Sequence, residues 1–301
     1  MLAVVGTIPD SNFPLVTEEV TLEGSFIKIR DNLVAVNRGT AALLAAAIKT
    51  FEFLNQPLPF GYLVGDIGLG QGSRRLYKLL TQELPLRDFH TIAFHYMLPY
   101  VNRQNEVLLA VEKMAHRPVL IADAGYMYVA KMSGQASKYD LFTPDIGELA
   151  FLADEEAPHP IYTRGFILHK EDKVPELISR AYANNNAARY LLVKGSTDYI
   201  ANREDILATI DSPMVDAMEP IGGTGDILTG IVAALINSGI DISQAAITAA
   251  RVNRLAGYYA MPTPATQVIE IIEQIPRALA EIMNTERLFE TSPAKKHIEP
   301  E

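Results

Sequence analysis

The sequence has no cysteine among its 301 residues, and this absence excludes several kinds of chemistry. Without thiols there are no disulfides, no thiolate metal site and no cysteine nucleophile. Long apolar runs are also missing, since no stretch reaches the roughly 18 uninterrupted apolar residues of a membrane span. The first residues have neither the basic start nor the long apolar segment of a signal peptide. We therefore expect a soluble, cytoplasmic protein with no membrane partner.

Blocks of Lys and Arg are absent too, and the formal net charge is −10. This balance predicts no nucleic-acid partner and favours a small-molecule substrate. The six histidines show neither H-x-x-x-H nor H-x-H spacing, so a zinc site is not expected. No G-x-S-x-G motif supports a serine hydrolase. The number of subunits is left open, and a homo-oligomer is compatible with the sequence.

Short apolar runs alternate with segments of helical spacing through much of the chain. The runs that predict strands are Tyr62–Ile67, Arg117–Ala124 and Arg189–Gly195, and the segments that predict helices are Thr40–Leu54, Ser73–Leu84, Asn105–His116 and Val174–Asn185. Strand followed by helix, repeated, predicts an α/β fold with a mostly parallel sheet covered on both faces.

Two regions depart from this alternation. Val16–Arg30 alternates like an antiparallel hairpin. Asp226–Met283 has an almost wholly helical pattern, broken at 237–241 and 261–266. Because no Pro/Ser-rich linker divides the chain, we predict one α/β domain over residues 1–290 with a helical C-terminal layer. Residues 291–301 are polar and predict a flexible tail.

The motif "GGTGDILTG" places Gly222, Gly223 and Gly225 directly before a helix, with Asp226 in its first turn. A helix start offers unpaired N–H groups and the positive end of the macrodipole, and glycines let a phosphate approach them. Two interpretations of Asp226 stay open. It is either a favourable first-turn acid over a glycine turn, or a general base beside a transferring phosphoryl group.

A second glycine-rich loop, "GDIGLGQGSRR", covers residues 68–73 and their neighbours. It fails as a P-loop because Gln71 stands where a lysine should be, and it fails G-x-G-x-x-G because Ser73 replaces the third glycine. A dinucleotide site is therefore only weakly supported. Arg74 and Arg75 could clamp a phosphate, although solvated surface arginines are the commoner outcome. The role of this loop is left open.

Two further segments allow both a structural and a functional interpretation. "FTPDIGEL" fits a helix start, with Thr143 as N-cap and Pro144 at the first helical position. It also fits a role for Glu148 in a magnesium–water network near phosphates. "LLVKGST" bends at Lys194 between two β-like runs, where a lysine is either a solvated turn residue or part of a site.

The order of these motifs carries more information than any one of them. "TPDIGE", "LLVKGST", "GGTGDILTGIVAALI" and "ATQVIEIIEQIPRAL" follow one another as in the ribokinase-like superfamily. The chain most closely resembles the ADP/ATP-dependent NAD(P)H-hydrate dehydratases, from about Arg117 to Met283. The resemblance implies a ribokinase-like α/β fold, a central mostly parallel sheet flanked by helices, with ADP or ATP and Mg²⁺ as cofactors.

The resemblance also assigns residues. Asp226 would be the catalytic acid/base, and Glu148 would match the family's glutamate. The remaining residues would bind the nucleotide: Gly222, Gly223, Thr224 and Gly225 as the anion hole for its terminal phosphates, with Lys194, Gly195 and Ser196 beside them.

Departures from the family pattern concern the acceptor end of the site. Asp145 stands where these dehydratases usually carry histidine, and Asn253 stands near another usual histidine. "TIAFHYMLPYVNRQ" replaces the family's G-P-G-L-G loop. Asn37 and Arg38 could meet the acceptor's own phosphates, although surface roles fit equally well. Substrate identity is therefore the least determined part.

Three functions follow. The first is a nucleotide-dependent dehydratase that repairs hydrated NAD(P)H. The alternative is a small-molecule kinase that phosphorylates a sugar or vitamin-precursor hydroxyl. Asp145 and the missing loop favour this alternative, which needs only the residues already named. The third is a non-catalytic nucleotide-binding protein, which an acid beside the phosphates disfavours.

Overall fold

The computed structural model describes residues 1–157 and 173–290, with side chains as far as residue 284. The predicted tail at 291–301 lies outside the described residues, as do His159, His169 and His297. Among the described residues, no helix is both long enough and apolar enough to cross a membrane.

The centre of the protein is a large sheet, which has nine strands within the described ranges. In order across the sheet they are β12 (Ile206–Ile210), β11 (Asp198–Asn202), β10 (Tyr190–Val193), β9 (Leu141–Phe142), β8 (Val119–Ala122), β7 (Thr91–His95), β1 (Leu2–Ile8), β6 (Phe60–Gly65) and β2 (Val16–Glu19). The strands from β10 to β6 are parallel, and β2, β11 and β12 are antiparallel additions at the two edges. Every residue of β1 is buried, as expected for a strand covered on both faces.

A small antiparallel sheet lies between β2 and the first helix in the chain. It consists of β3 (Thr21–Glu23), β4 (Phe26–Ile29) and β5 (Asn32–Ala35). The predicted hairpin over Val16–Arg30 is therefore right for β3 and β4. Its first residues instead form β2, which pairs with β6 of the large sheet.

Helices cover both faces of the large sheet. In chain order they are α1 (Thr40–Leu54), α2 (Gln71–Glu83), α3 (Val101–Val111), α4 (Gly125–Met132), α5 (Ile146–Ala153), α6 (Val174–Ala183), α7 (Thr224–Asn237), α8 (Ile242–Ala260), α9 (Val268–Ile272) and α10 (Ile275–Glu290). α1 and α7 to α10 enclose one hydrophobic core, and α2 to α6 enclose a second core on the opposite face. The predicted α/β fold and helical C-terminal region are both confirmed.

α1 and α7 pack unusually closely, and Gly230 makes this possible. A Cβ on Gly230 would lie 2.2 Å from the carbonyl oxygen of Leu43, so any larger residue would push the helices apart. The close contact brings the start of α1, at Gly39, next to the first turn of α7, which carries Asp226.

Candidate active site

Four ionisable side chains converge at the carboxyl edge of the parallel sheet. His95 is the last residue of β7, Asp123 follows β8, Lys194 follows β10, and Asp226 lies in the first turn of α7. The carboxyl ends of parallel strands meet along one edge of a sheet, which is where ligands bind in open α/β folds. The sequence-distant residues are brought together for this reason.

Asp226 reaches across to other elements instead of capping its own helix. Its Oδ2 accepts a hydrogen bond from the backbone N–H of Gly39 at 2.6 Å, and its Oδ1 lies 3.0 Å from His95 Nε2. The N-cap of α7 is Gly223, whose φ of 101° is left-handed and therefore favours glycine. No side chain among the described residues caps this helix, so its start has N–H groups available for an anion.

The environment of Asp226 keeps its carboxylate ionised. Burial acts to raise the pKa of Asp226, but the hydrogen bond and charge of His95, the charge of Lys194 and the N–H of Gly39 outweigh it and hold the pKa below its usual value. A simple first-turn acid would not need these contacts. The carboxylate is thus buried, charged and held from two sides.

Asp123 and Lys194 form a second charged pair beside the first. Lys194 Nζ lies 2.9 Å and 3.1 Å from the two carboxylate oxygens of Asp123, and the Thr229 hydroxyl donates to Asp123 Oδ2 at 2.6 Å. Burial alone would lower the pKa of Lys194, but Asp123 and other nearby carboxylates raise it above its ordinary value. The interpretation of Lys194 as a solvated turn residue is wrong, because its ammonium is bound inside the site.

The lysine side chain also reaches the glycine-rich start of α7. A Cβ on Gly225 would lie 3.4 Å from Lys194 Cδ and 3.6 Å from its Nζ. Thr224 closes the preceding turn, with its hydroxyl donating to the Ile221 carbonyl at 3.4 Å. Lys194 therefore places a positive charge beside the uncapped helix start.

Asp145 is the N-cap of α5 and Glu148 lies in its first turn, and the two residues cap the helix reciprocally. Asp145 Oδ1 accepts from the Glu148 N–H at 2.7 Å, and Glu148 Oε2 accepts from the Asp145 N–H at 2.9 Å. The prediction of Thr143 as N-cap is wrong, because Asp145 holds that position and α5 begins at Ile146. Pro144 accordingly lies before the helix instead of at its first position.

Glu148 is half-buried in a region of negative charge. Burial raises the pKa of Glu148 to about 8, with Asp145 and Asp123 adding to the rise and Lys194 opposing it. The Tyr128 hydroxyl donates to Glu148 Oε1 at 3.3 Å. A cation placed beside Glu148 would favour its ionised form.

Gly195 and Ser196 form the exposed bend between β10 and β11. Arg254 of α8 fixes this bend, since its Nη2 donates to the carbonyl oxygens of Gly195 at 3.0 Å and Ser196 at 2.8 Å. Its Nε donates to Asp198 Oδ2 at 2.8 Å, which forms a buried ion pair. The bend next to Lys194 therefore has a defined backbone.

The predicted substrate residues divide into two groups. Arg38 lies beside the glycine-rich loop, because a Cβ on Gly223 would be 3.0 Å from Arg38 Cα. Asn37 is its exposed neighbour. Asn253 is instead buried in α8, and its Oδ1 has no hydrogen-bond partner among the described residues.

The second glycine-rich loop is organised by Asp66, which follows β6. Asp66 Oδ1 accepts from the N–H groups of Gly68 at 3.1 Å and Gly70 at 2.9 Å, while Oδ2 accepts from the N–H and hydroxyl of Ser73 at 2.8 Å and 2.9 Å. Burial opposes ionisation, but these four bonds lower the pKa of Asp66. A carboxylate thus already occupies the donors that a phosphate would need. Arg74 and Arg75 are exposed on the surface of α2.

His95 and Asp123 were not among the site residues predicted from the sequence. Each follows or ends an apolar run, "TIAFH" and "VLIAD", and would therefore lie at the ligand-binding edge of a parallel sheet. Tyr96 was missed as well. Its φ is 50°, its ring centroid is 4.3 Å from that of His95, and partial burial together with the charge of Asp226 raises its pKa to about 12.

Donor atoms of His95, Asp123 and Asp226 lie within 4.8 Å of one another, a spacing that a metal ion could span. The donors do not fit Mg²⁺ well, because Lys194 binds both oxygens of Asp123 and Mg²⁺ prefers oxygen ligands to imidazole. Glu148 fits better, since its half-buried carboxylate lies among other acids and gains from a nearby cation.

Comparison with known proteins identifies the family of the chain. The family model described as NAD(P)H-hydrate dehydratase matches residues 99–277, more than half of the chain. The chain belongs to this family. The resemblance expected from the order of its motifs is therefore confirmed.

The curated relatives match different shares of this chain and of their own lengths. An uncharacterized protein of Methanocaldococcus jannaschii is 41% identical over 238 residues, which are 79% of this chain and 98% of that protein. The ADP-dependent (S)-NAD(P)H-hydrate dehydratase of Nitrosopumilus maritimus is 29% identical over 158 residues, 52% of this chain and 50% of that protein. A bifunctional NAD(P)H-hydrate repair enzyme of Pyrobaculum aerophilum is 27% identical over 178 residues, 58% of this chain and 32% of that protein. The chain thus spans half or less of the two relatives whose names state an activity.

Solved structures show the fold. An ADP complex of Bacillus subtilis pyridoxal kinase superimposes with a TM-score of 0.53 at 16% identity, covering 83% of this chain and 88% of that chain. Phosphofructokinase-2 of Escherichia coli gives 0.55 at 12% identity, covering 93% and 99%. At this identity the likeness supports the ribokinase-like fold alone.

Proposed function

We propose that this protein dehydrates hydrated NAD(P)H with the help of ADP or ATP and Mg²⁺. The observation that carries the proposal is the position of Asp226. It is a buried, ionised carboxylate in the first turn of a helix whose N-terminus is rich in glycine and has no side-chain cap. A base and an anion site are thus side by side, as phosphoryl transfer to a hydroxyl requires.

The nucleotide's terminal phosphates would bind at the start of α7. The backbone of Gly222, Gly223, Thr224 and Gly225 supplies N–H groups and the positive end of the helix dipole. Lys194, whose ammonium lies close to Gly225, adds a fixed positive charge. Gly195 and Ser196, in the bend held by Arg254, would contact the nucleotide beside these phosphates.

Asp226 would then act as general base. The ring hydroxyl of the hydrate would pass its proton to Asp226 as its oxygen bonds to the terminal phosphorus, and the bond between that phosphorus and the rest of the nucleotide would break. The phosphorylated oxygen departs from the ring as phosphate, assisted by the electron pair of the ring nitrogen. Loss of a proton from the adjacent carbon restores the double bond. Mg²⁺ would neutralise phosphate charge, with Glu148 holding its water ligands.

The acceptor would lie toward the N-terminal half. Arg38 is exposed next to Gly222 and Gly223 and could pair with the acceptor's own phosphates, with Asn37 beside it. Contacts of Asp145 and Asn253 with substrate stay predictions, since the first caps α5 and the second is buried in α8.

The test is a direct turnover assay. Hydrated NADH incubated with the protein, Mg²⁺ and either ADP or ATP should regain the near-ultraviolet absorbance of the reduced ring. Matched samples without nucleotide, and with Asp226→Asn, should show no recovery above background. If neither nucleotide supports recovery, the dehydratase proposal is wrong.

A small-molecule kinase is the second candidate, and one observation favours it. On the side where the acceptor would bind, three apolar side chains are exposed: Ile67 at 55%, Leu69 at 68% and Tyr96 at 51%. They lie on segments that differ from the dehydratase pattern. Phosphate transfer from ATP to a small alcohol, without recovery of NADH, would establish this function. Thermal protection by nucleotide without any transfer would indicate a binding protein only.

A further inference from the structure

The His95 ring is completely buried and contacts one polar partner through each nitrogen. Nδ1 lies 3.0 Å from the Thr40 hydroxyl, and Nε2 lies 3.0 Å from Asp226 Oδ1. The Thr40 hydroxyl in turn donates to the carbonyl oxygen of Thr7 at 3.0 Å. A chain of three contacts therefore links β1, the start of α1, the end of β7 and the first turn of α7.

The Nε2 contact determines where a proton of the ring lies. The Thr40 hydroxyl lies 3.0 Å from both the Thr7 carbonyl oxygen and His95 Nδ1, so Thr40 anchors the Nδ1 side of the ring in either tautomer. Nε2 faces a carboxylate oxygen at hydrogen-bond distance, which requires a proton between the two atoms. That proton belongs to the ring if Asp226 is ionised.

The surrounding groups favour a proton on Nε2. Nε2 faces two carboxylates, Asp226 at 3.0 Å and Asp123 at 3.8 Å, whereas Lys194 is the cation that pairs with Asp123. Tyr96 packs its ring against His95 and brings no charge at neutral pH. The Nε2–H therefore points at carboxylate oxygens and is well placed to hold Asp226.

We propose that His95 is the positioning residue of Asp226: its Nε2–H holds Oδ1 while the Gly39 N–H holds Oδ2. This deepens the proposed function and rests on it, because it assumes that Asp226 is the base. Two donors from different elements fix the plane of the carboxylate and leave a lone pair on each oxygen for the incoming proton. The anion that must accept a proton from the substrate is thereby oriented before the substrate binds.

Ring-nitrogen NMR on the full-length protein labelled with ¹⁵N-histidine tests the protonation directly. His95→Gln assigns the resonances, and we expect Nε2 of His95 to carry a proton at neutral pH. Asp226→Asn should shift the Nε2 resonance, because an amide then replaces the carboxylate that accepts from it. An unprotonated Nε2 in the wild-type protein at neutral pH would overturn the proposal, and this measurement needs no turnover.

Kinetics test the consequence. His95→Phe should lower kcat about tenfold to a hundredfold, the usual loss when the partner that orients a reacting group is removed, with thermal protection by nucleotide unchanged. His95→Gln, which places an amide donor near the Nε2 position, should restore part of that loss.

The control is His90→Gln, since His90 is exposed at the opposite end of β7 and should leave the rate unchanged. A folded His95→Phe variant with wild-type kcat would contradict the positioning role. If the wild type fails to convert hydrated NADH, the proposed function is wrong, and the NMR result still decides the state of His95.

Discussion

Two glycine-rich loops in this protein lead into helices, and they use an aspartate in opposite ways. At the start of α2, Asp66 precedes the glycines and folds back over them, so that its oxygens occupy the N–H groups of Gly68, Gly70 and Ser73. At the start of α7, Asp226 follows the glycines and turns away toward His95 and α1. The first helix start is closed by its own acid, and the second is left without a side-chain cap.

Glycine content therefore does not identify an anion site by itself. What matters is the place of the acid relative to the glycines. A carboxylate before the loop can cap the helix locally, as Asp66 does. A carboxylate at the third helical position usually bonds back to the N-cap N–H, but Asp226 is drawn to the N–H of Gly39 instead. The negative charge of Asp226 therefore lies beside the N–H groups at the start of α7 without occupying them.

The largest effect should come from Asp226→Asn. If Asp226 is a base, the rate of hydrate conversion should fall by about 10² to 10⁴, because the amide cannot accept the proton. Thermal protection by nucleotide should persist, since the N–H groups of α7 are untouched. Rate and melting temperature are measured on the same preparation. A destabilised variant with full activity would instead show a purely structural role.

Gly225→Val should have the next largest effect. Its branched side chain would enter the space between the helix start and Lys194, so we expect thermal protection by nucleotide to be lost, which is about 2.7 kcal/mol at a hundredfold excess over Kd. Gly225 does not have a positive φ, so the loss would come from steric blocking and not from backbone strain.

Gly68→Ala is the matched control in the other loop. Gly68 has a φ of 93° and open space around it, so alanine should cost about 1–2 kcal/mol of stability through strain while nucleotide protection stays intact. Calorimetry with ATP and ADP measures the nucleotide affinity of both variants. Retained affinity in folded Gly225→Val would mean that the phosphates bind elsewhere.

Asp66→Ala should further distinguish the roles of the two loops. Removing a carboxylate that accepts four hydrogen bonds should lower the free energy of unfolding by about 1–2 kcal/mol, the range for loss of a helix cap. Chemical denaturation measures this change. Nucleotide affinity should equal that of the wild type, and a large fall in affinity would assign the phosphates to the α2 loop.

The last prediction concerns Glu148 and the pH dependence of stability, and it leaves the two loops unchanged. Its pKa of about 8 in the folded protein lies above the ordinary unfolded value of about 4.3, so the folded state binds this proton more tightly. The stability that this proton contributes is complete below the unfolded pKa and is lost as pH rises through about 8. Glu148→Gln should therefore gain stability relative to the wild type as pH rises from about 5 to about 8.5.

Melting temperatures without nucleotide at the two pH values check this prediction. Glu176→Gln is the control, because Glu176 occupies the first turn of the neighbouring helix α6 but is exposed. An equal difference between wild type and Glu148→Gln at both pH values would contradict the raised pKa.

Much of the fold could be predicted from periodicity. The Thr40–Leu54 helix has the predicted bounds, because its apolar residues are continuous and both ends are marked by turn-forming residues. Strands were found where apolar runs were long, although their ends moved by a few residues, as in β6, which is Phe60–Gly65 instead of Tyr62–Ile67. The first strand, β1, was not predicted, since its apolar run was compared only with the pattern of a signal peptide.

The site could be predicted only in part. The residues at the start of α7 were found because glycines next to a helix form a local pattern. His95 and Asp123 were not predicted, because their proximity depends on which strands become neighbours. β7 and β8 lie side by side only in the folded sheet. Asp66 was not predicted either, because its four hydrogen bonds to the loop that follows it leave no periodic pattern in the sequence.

The contact at Gly230 has a consequence for how the site can move. Two helices whose backbones lie in contact resist sliding past each other, so we expect the Asp226 carboxylate on α7 and the Gly39 amide before α1 to keep a constant separation. The close packing at Gly230 thus protects the hydrogen bond between these two groups against relative motion of the helices.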